Sequence, residues 1–131
     1  ISIHLIFSAP SLYVDADRDK ISQVIQNLID NAVKFSSPDS SIEIQTTIQK
    51  DKIFVTVSDH GIGIPEESLP HIWDRFYKTD VSRGKDKTGS GLGLAITKEI
   101  IDAHHEYIHA TSILGSGTDF SFSLPHHASG I

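Results

Sequence analysis

The stretch from Asp17 to Phe35 constrains the fold most. Its apolar residues, Ile21, Val24, Ile25, Leu28, Ile29, Ala32 and Val33, recur at the i, i+3, i+4, i+7 spacing of an amphipathic helix. Such a stripe must lie on a second apolar layer, so the rest of the chain has to supply one. Asp17 suits the N-cap position, where a carboxylate accepts a backbone N–H and faces the positive end of the helix dipole. Ser36-Ser37-Pro38 stops the helix. The polar side is less ordinary. Asn27, Asn31 and Lys34 fall at i, i+4 and i+7 and stack in one row beside the stripe. Asparagine is a mediocre helix former, because its amide competes with the backbone. From this helix alone the row is either a solvated face or a set of amide oxygens and one cation turned toward a metal-bound polyphosphate.

The remaining elements read as strands and helices in alternation. Ile1–Phe7 forms a strand, and Leu12–Val14 is a short extended piece leading into the helix. Ile42, Ile44, Thr46 and Ile48 alternate with polar residues as a half-buried strand, and Lys50-Asp51-Lys52 turns it into an antiparallel partner carrying Ile53, Val55 and Val57. A short helix is expected from Pro65 or Glu66 to about Arg75, broken or kinked at Pro70. Tyr77–Ser90 is basic and poor in apolar residues, which suggests a mobile lid. A second long helix opens at Gly89–Leu94, with Leu92, Ile96, Ile100 and Ala103 on one face. Strands over Ile108–Ile113 and Thr118–Leu124 flank a Gly115-Ser116-Gly117 turn. Hairpins among interleaved helices imply a two-layer α/β sandwich with a mixed sheet on about three helices, not a doubly wound parallel sheet. Residues 1–125 read as one domain and 126–131 as a tail, native or vector-derived.

Composition narrows the chemistry. With 131 residues and 38% apolar content, the chain can build one real core. No stretch approaches the roughly 18–20 apolar residues of a membrane span. The sequence has neither a signal-peptide pattern nor a starting Met, so it reads as an excised fragment. The absence of Cys excludes disulfides and thiolate metal sites. A net charge of −6 argues against nucleic acid as the main partner. The eight His are scattered, and the adjacent pairs His104-His105 and His126-His127 lack the i, i+4 spacing of zinc ligands on a helix.

Three glycine clusters remain. Gly61-x-Gly63 follows a strand ending in Asp59, a ready acceptor for an amino group; Gly89-x-Gly91-x-Gly93 precedes a helix; Gly115-x-Gly117 joins two strands. Glycine lets backbone N–H groups approach a ligand, and at a helix start those groups favour a phosphate. Each cluster could also be only a turn. The second is no Walker loop, since no Gly-Lys-Ser/Thr follows, and no strand leads directly into it as a Rossmann fingerprint requires.

Together these residues resemble the ATP-binding catalytic domain of bacterial sensor histidine kinases, the Bergerat fold of the GHKL superfamily. Asn27–Ser36 looks like the family's N box, Asp59–Gly63 its first glycine box, Ile72–Tyr77 its F box, Gly89–Ile96 its second glycine box and Gly115–Thr118 its third. The likeness covers about Val14 to Pro125, and all the boxes stand in family order. It implies that Asp59 accepts the adenine amino group, that Phe35 covers the base, that Ile64 and Leu92 line its pocket, and that Thr118 lies near it. Asn31 would hold Mg²⁺, with Asn27 and Lys34 near the phosphates in support. Gly91 and Gly93 would let the lid and helix N-terminus close on the phosphates, and Gly61, Gly63, Gly89 and Ser90 would also belong to the nucleotide site. Arg83 and Lys87 would contact the γ-phosphate, with Arg75 a weaker candidate. The resemblance further implies a cytoplasmic domain of a membrane-anchored sensor kinase. It would bind Mg-ATP and donate the γ-phosphoryl group to a histidine in a dimerisation domain of the same protein, for relay to a response regulator receiver domain. The fragment itself would be monomeric and the full-length protein a homodimer.

The sequence departs from that pattern at several places. Trp73 stands where Phe is usual, and His60 sits inside the first glycine box, where its backbone alone is expected to matter. His104-His105-Glu106 replaces His-Gly-Gly after the second long helix, so His105 or Glu106 must tolerate φ > 0 if that cap needs it. No Ser-His-Glu phosphoacceptor segment is present. The rival of the same fold, ATP-operated machines like gyrase B, Hsp90 and MutL, uses a Glu four residues before the metal-binding Asn to activate water. Here that position is Asn27, which cannot act as a base near neutrality. A module that binds ATP without turnover is the third reading.

Overall fold

A computed structural model of the protein describes residues 2–6, 16–77 and 92–126. Its elements are β1 (Ser2–Ile6), α1 (Arg18–Phe35), β2 (Ser41–Gln49), β3 (Lys52–Ser58), a 3-10 helix (Glu66–His71), α2 (Gly93–Ala103), β4 (Ile108–Ile113) and β5 (Gly117–Pro125). The strands form one mixed sheet in the order β1-β2-β3-β5-β4. β1 pairs with β2 in parallel across the α1 crossover, and every other pair is antiparallel. The expected α/β architecture therefore holds.

Alternation decides which sheet face is covered. Ile42 and Ile44 of β2, Ile53, Val55 and Val57 of β3, and Phe120, Phe122 and Leu124 of β5 are all buried. They meet Ile21, Val24, Leu28 and Ala32 of α1 and Ile100 and Ile101 of α2 in one core. The register opposes Val57 to Phe120 and Val55 to Phe122, so the β3–β5 pair is its spine. At about 25 cal/mol per Å² of apolar surface, each such side chain contributes roughly 1.5–3 kcal/mol. Within the α1 stripe Ile25 and Ile29 are only half-buried and Val33 is exposed.

The helices are tied to one another at two levels. Asp17 caps α1, accepting the Lys20 N–H at 3.1 Å. Its own N–H donates to His104 Nε2 at 3.0 Å, just past the end of α2. The other ring nitrogen of His104 lies 2.9 Å from the Ile100 carbonyl, which can only accept, so Nδ1 carries the proton. Further along, Asn27 reaches the first turns of α2, so the helices run antiparallel.

Three details differ from the sequence reading. The segment after Pro65 is a 3-10 helix ending at His71, not a helix to Arg75. Its Ser68 N–H already bonds to the Pro65 carbonyl three residues back, the tighter pitch of that helix. On α2 the buried residues are Ala95, Thr97, Ile100 and Ile101, while Ala103 is exposed and Leu92 and Ile96 are half-buried. His126, grouped with the tail, donates its N–H to the Asp51 carbonyl at 2.8 Å, whereas residues 127–131 lie outside the described residues.

The departure at the end of α2 resolves in an informative way. His105 adopts φ 57, the left-handed conformation that glycine would supply. Its N–H bonds to Asp102 O, and that of Glu106 to Ile101 O, which together make a Schellman cap. The next side chain is thereby turned inward. Glu106 is 7% exposed, accepts Ser123 Oγ–H at 2.8 Å and pairs with Lys52 Nζ at 2.5 Å. That bond holds the Lys52 ammonium above its ordinary range.

Candidate nucleotide site

The end of β3 delivers Asp59 into a junction of three loops. Its carboxylate is 6% exposed. Oδ1 accepts the Gly61 N–H at 2.9 Å and the Thr118 N–H at 3.3 Å, and no described residue donates to Oδ2. Burial pushes the Asp59 carboxyl above the ordinary carboxylate range, and these two N–H groups pull it part of the way back. What results is a fixed, poorly solvated acceptor.

Glycine is required here by backbone crowding. A Cβ on Gly61 would stand 2.1 Å from Phe35 O, at the end of α1, and one on Gly117 would stand 2.1 Å from Asp59 O. Gly63, at φ 74, would meet Ile113 O at 2.3 Å. The loops are also bonded directly. Ile62 N–H donates to Phe35 O at 3.3 Å, Gly115 N–H to Ile62 O at 2.7 Å, and Asp59 N–H to Thr118 O at 2.9 Å. The last turn of α1, the loop after β3 and the β4–β5 turn thus close around Asp59.

Ser112 completes the junction, and nothing in its strand context marks it out in sequence. Its hydroxyl donates to Gly117 O at 2.8 Å, accepts the Ile64 N–H at 2.7 Å and lies 2.8 Å from Thr118 Oγ1. The single Ser112 proton is already committed, so Thr118 must donate to Ser112, which leaves Thr118 Oγ1 as an acceptor.

The Asn row lies on the helix side. Asn27 and Asn31 are half-buried, Lys34 is exposed, and Phe35 follows at the helix end, half-buried. The Asn27 side-chain nitrogen is 3.4 Å from Gly93 O and 3.3 Å from Thr97 Oγ1. α2 begins after Leu92 with no side-chain cap among the described residues, and a Cβ on Gly93 would meet none of them within 4 Å. A helix start without a side-chain cap is a place where an anion can be held. Ile64 and Leu92 are half-buried, as wall residues would be. Arg75 pairs with Glu99 of α2. His60 is more than a backbone residue, because its Nε2 contacts Glu43 at 3.2 Å. A groove of about 280 Å³ borders Asp59 on the opposite, outer face, where Thr111 and Asp119 point away from the core. Arg83, Lys87, Gly89, Ser90 and Gly91, with nearly all of the lid, lie outside the described residues.

Residues 16–128 match the family described as histidine kinase-, DNA gyrase B-, and HSP90-like ATPase. The chain belongs to that family. It is 42% identical over 117 residues to the sensor histidine kinase WalK of Bacillus subtilis, covering 88% of this chain and 19% of WalK. The match to WalK of Staphylococcus aureus is 39% over 117 residues, 88% of this chain and 28% of that protein. The chain thus spans only 19% and 28% of these relatives' length. The catalytic domain of histidine kinase ThkA superposes with a TM-score of 0.81 at 32% identity, over 95% of this chain and 79% of that one. Full-length ShkA in complex with AMPPNP gives 0.83 at 26% identity, over 99% and 27%.

Proposed function

We propose that this chain is the ATP-binding catalytic domain of a sensor histidine kinase, spanning residues 1–125 with a lid over about 77–90. It would bind Mg-ATP and transfer the γ-phosphoryl group to a histidine on a separate dimerisation domain. The observation that carries this reading is the buried Asp59 carboxylate, with one oxygen fixed by two backbone donors and the other left to accept. Such an acceptor selects the adenine amino group over the guanine oxygen. Thr118 Oγ1, left as an acceptor, suits the same edge of the base, and Phe35, Ile64 and Leu92 would enclose it.

Asn31 and Asn27 fit a magnesium ion, which takes oxygen ligands and retains waters. Asn27 has its nitrogen engaged by α2, so its oxygen is the free end. Bound there, the ion would neutralise phosphate charge. Lys34, the N-terminus of α2, and Arg83 and Lys87 would share the rest. Gly93 leaves room for close approach, and Gly89, Ser90 and Gly91 precede it. In the transfer, an imidazole nitrogen forms a bond to the γ-phosphorus as the bond to the β–γ bridging oxygen breaks, and ADP leaves. That reaction needs positioning and charge stabilisation, not protein covalent chemistry. The histidine would lie in the same full-length protein, a homodimeric membrane-anchored sensor of which this chain is a cytoplasmic domain, with a response regulator as the onward acceptor.

The test is to add a dimerisation domain bearing the acceptor histidine and follow acid-labile phosphate from ATP. Phosphorylation that needs this chain supports the proposal. Brisk ATP hydrolysis by the chain alone, lost when Asn27 is changed, favours the hydrolytic machines of the family.

A further inference from the structure

The sequence has two asparagines, Asn27 and Asn31, one turn apart on α1. Their surroundings differ. No described residue on another element bonds the Asn31 side chain, whereas the Asn27 nitrogen contacts Gly93 O at 3.4 Å and Thr97 Oγ1 at 3.3 Å. A main-chain carbonyl can only accept, so the Asn27 atom facing Gly93 must be the NH₂ group. The amide therefore has one orientation, nitrogen on α2 and Oδ1 turned away. Without such partners an asparagine amide can rotate and present nitrogen in place of oxygen, which would set a donor where a cation needs an acceptor.

Thr97 is the less expected half of this anchor. It is 0% exposed on the face of α2 that meets α1. A buried hydroxyl requires a partner, and Asn27 supplies one. An aliphatic residue of the same shape would fill the space equally well, so packing alone does not account for the hydroxyl.

We propose that Thr97 is a positioning residue for nucleotide binding. With the Gly93 carbonyl it fixes the Asn27 amide, so that Oδ1 is presented beside Asn31 to a metal-bound polyphosphate. The inference rests on the nucleotide reading above and adds a second anchor that holds Asn27 in the orientation the Gly93 carbonyl selects. Partners behind a metal-facing ligand typically contribute about 10–100-fold to metal affinity. The effect should appear in magnesium dependence and not in base recognition, because Asp59 lies on another element.

Two measurements test this. In the free wild-type chain, the side-chain NH₂ hydrogens of Asn27 should exchange with solvent more slowly than those of Asn31, its internal control. Equal exchange overturns the anchor whatever the variants do. Titration calorimetry then compares wild type, Thr97→Val and Thr97→Ser with AMPPNP, with and without Mg²⁺. Thr97→Val should weaken Mg-AMPPNP by about tenfold and leave metal-free AMPPNP nearly unchanged, while Thr97→Ser, which keeps the hydroxyl, should stay close to wild type. A packing role predicts the reverse order, with serine the worse substitution, and that order overturns the proposal. Wild-type chain that binds no AMPPNP overturns the nucleotide reading itself. Wild-type chain that binds it, with Thr97→Val indistinguishable, overturns the role of Thr97 alone.

Discussion

Asp59→Asn separates what this side chain does for folding from what it does for recognition. Asparagine has nearly the same shape, and its Oδ1 can still accept the Gly61 and Thr118 N–H groups at 2.9 and 3.3 Å. Because those donors hold the oxygen, the new NH₂ group must project where the carboxylate's second oxygen was. It would then face the adenine amino group, donor against donor. Losing a hydrogen bond to a charged acceptor and stranding a donor costs about 2 kcal/mol or more, roughly thirtyfold in ATP affinity. The guanine oxygen, by contrast, would now find a donor, so GTP should gain relative to ATP. Stability should move differently. Burial raises the Asp59 carboxyl pKa, so the folded chain binds that proton more tightly than the unfolded chain does. Stability from this group is therefore lost as pH rises from the unfolded value, about 4, through the raised folded one. At neutral pH the carboxylate opposes folding, and Asp59→Asn should melt no lower than wild type, with any advantage vanishing in acid. Calorimetric titration with ATP and GTP, alongside thermal melts across pH, measures both. Unchanged selectivity refutes the assignment of Asp59, and a lower neutral-pH melting temperature that persists in acid refutes the desolvation argument.

Alanine at Gly61 or Gly117 should lower the melting temperature sharply, because either Cβ strikes a carbonyl oxygen at 2.1 Å; circular dichroism melts resembling wild type would contradict that geometry. Gly93→Ala meets no described residue within 4 Å and should stabilise the free chain by up to about 1 kcal/mol while weakening ATP, so unchanged ATP affinity would remove Gly93 from the phosphate site. His105→Gly should stabilise by about 1 kcal/mol, since φ is 57 there; denaturant titration showing a loss would mean the imidazole contributes more than its backbone costs. Ser36 is buried with a hydroxyl that has no partner among the described residues, so Ser36→Ala should be neutral or stabilising by about 1 kcal/mol, and a clear loss in the same titration would reveal a bond it makes.

Long-period features were legible in the sequence. The α1 stripe, the alternation of β2 and β3 and the order of the glycine clusters led to the right architecture, because each repeats a pattern imposed by a layer. Local competition was harder to read. The segment after Pro65 carries helix-like composition, yet its short length and Pro70 leave it as a 3-10 turn. The buried face of α2 was misjudged because the helix is covered on more than one side: Ala95 and Thr97, two residues apart, are both buried. Asp59 was recognised from its place at a strand end, but Ser112 was not, since its importance comes from a register that pairs it with Thr118. The glycines were read as making room for a ligand; Gly61, Gly63 and Gly117 first make room for other backbone.

The two ties between α1 and α2 have a mechanical consequence. The Asp17–His104 bond and the Asn27 contacts lie ten residues apart along α1, about 15 Å at the helical rise. A pair pinned at two such points cannot scissor about either one. The Asn row and the start of α2 thus belong to a single stiff unit, and their relative placement is set at folding. A ligand bound along this edge therefore meets side chains whose spacing is set by the packing of α1 on α2 and not by its own arrival.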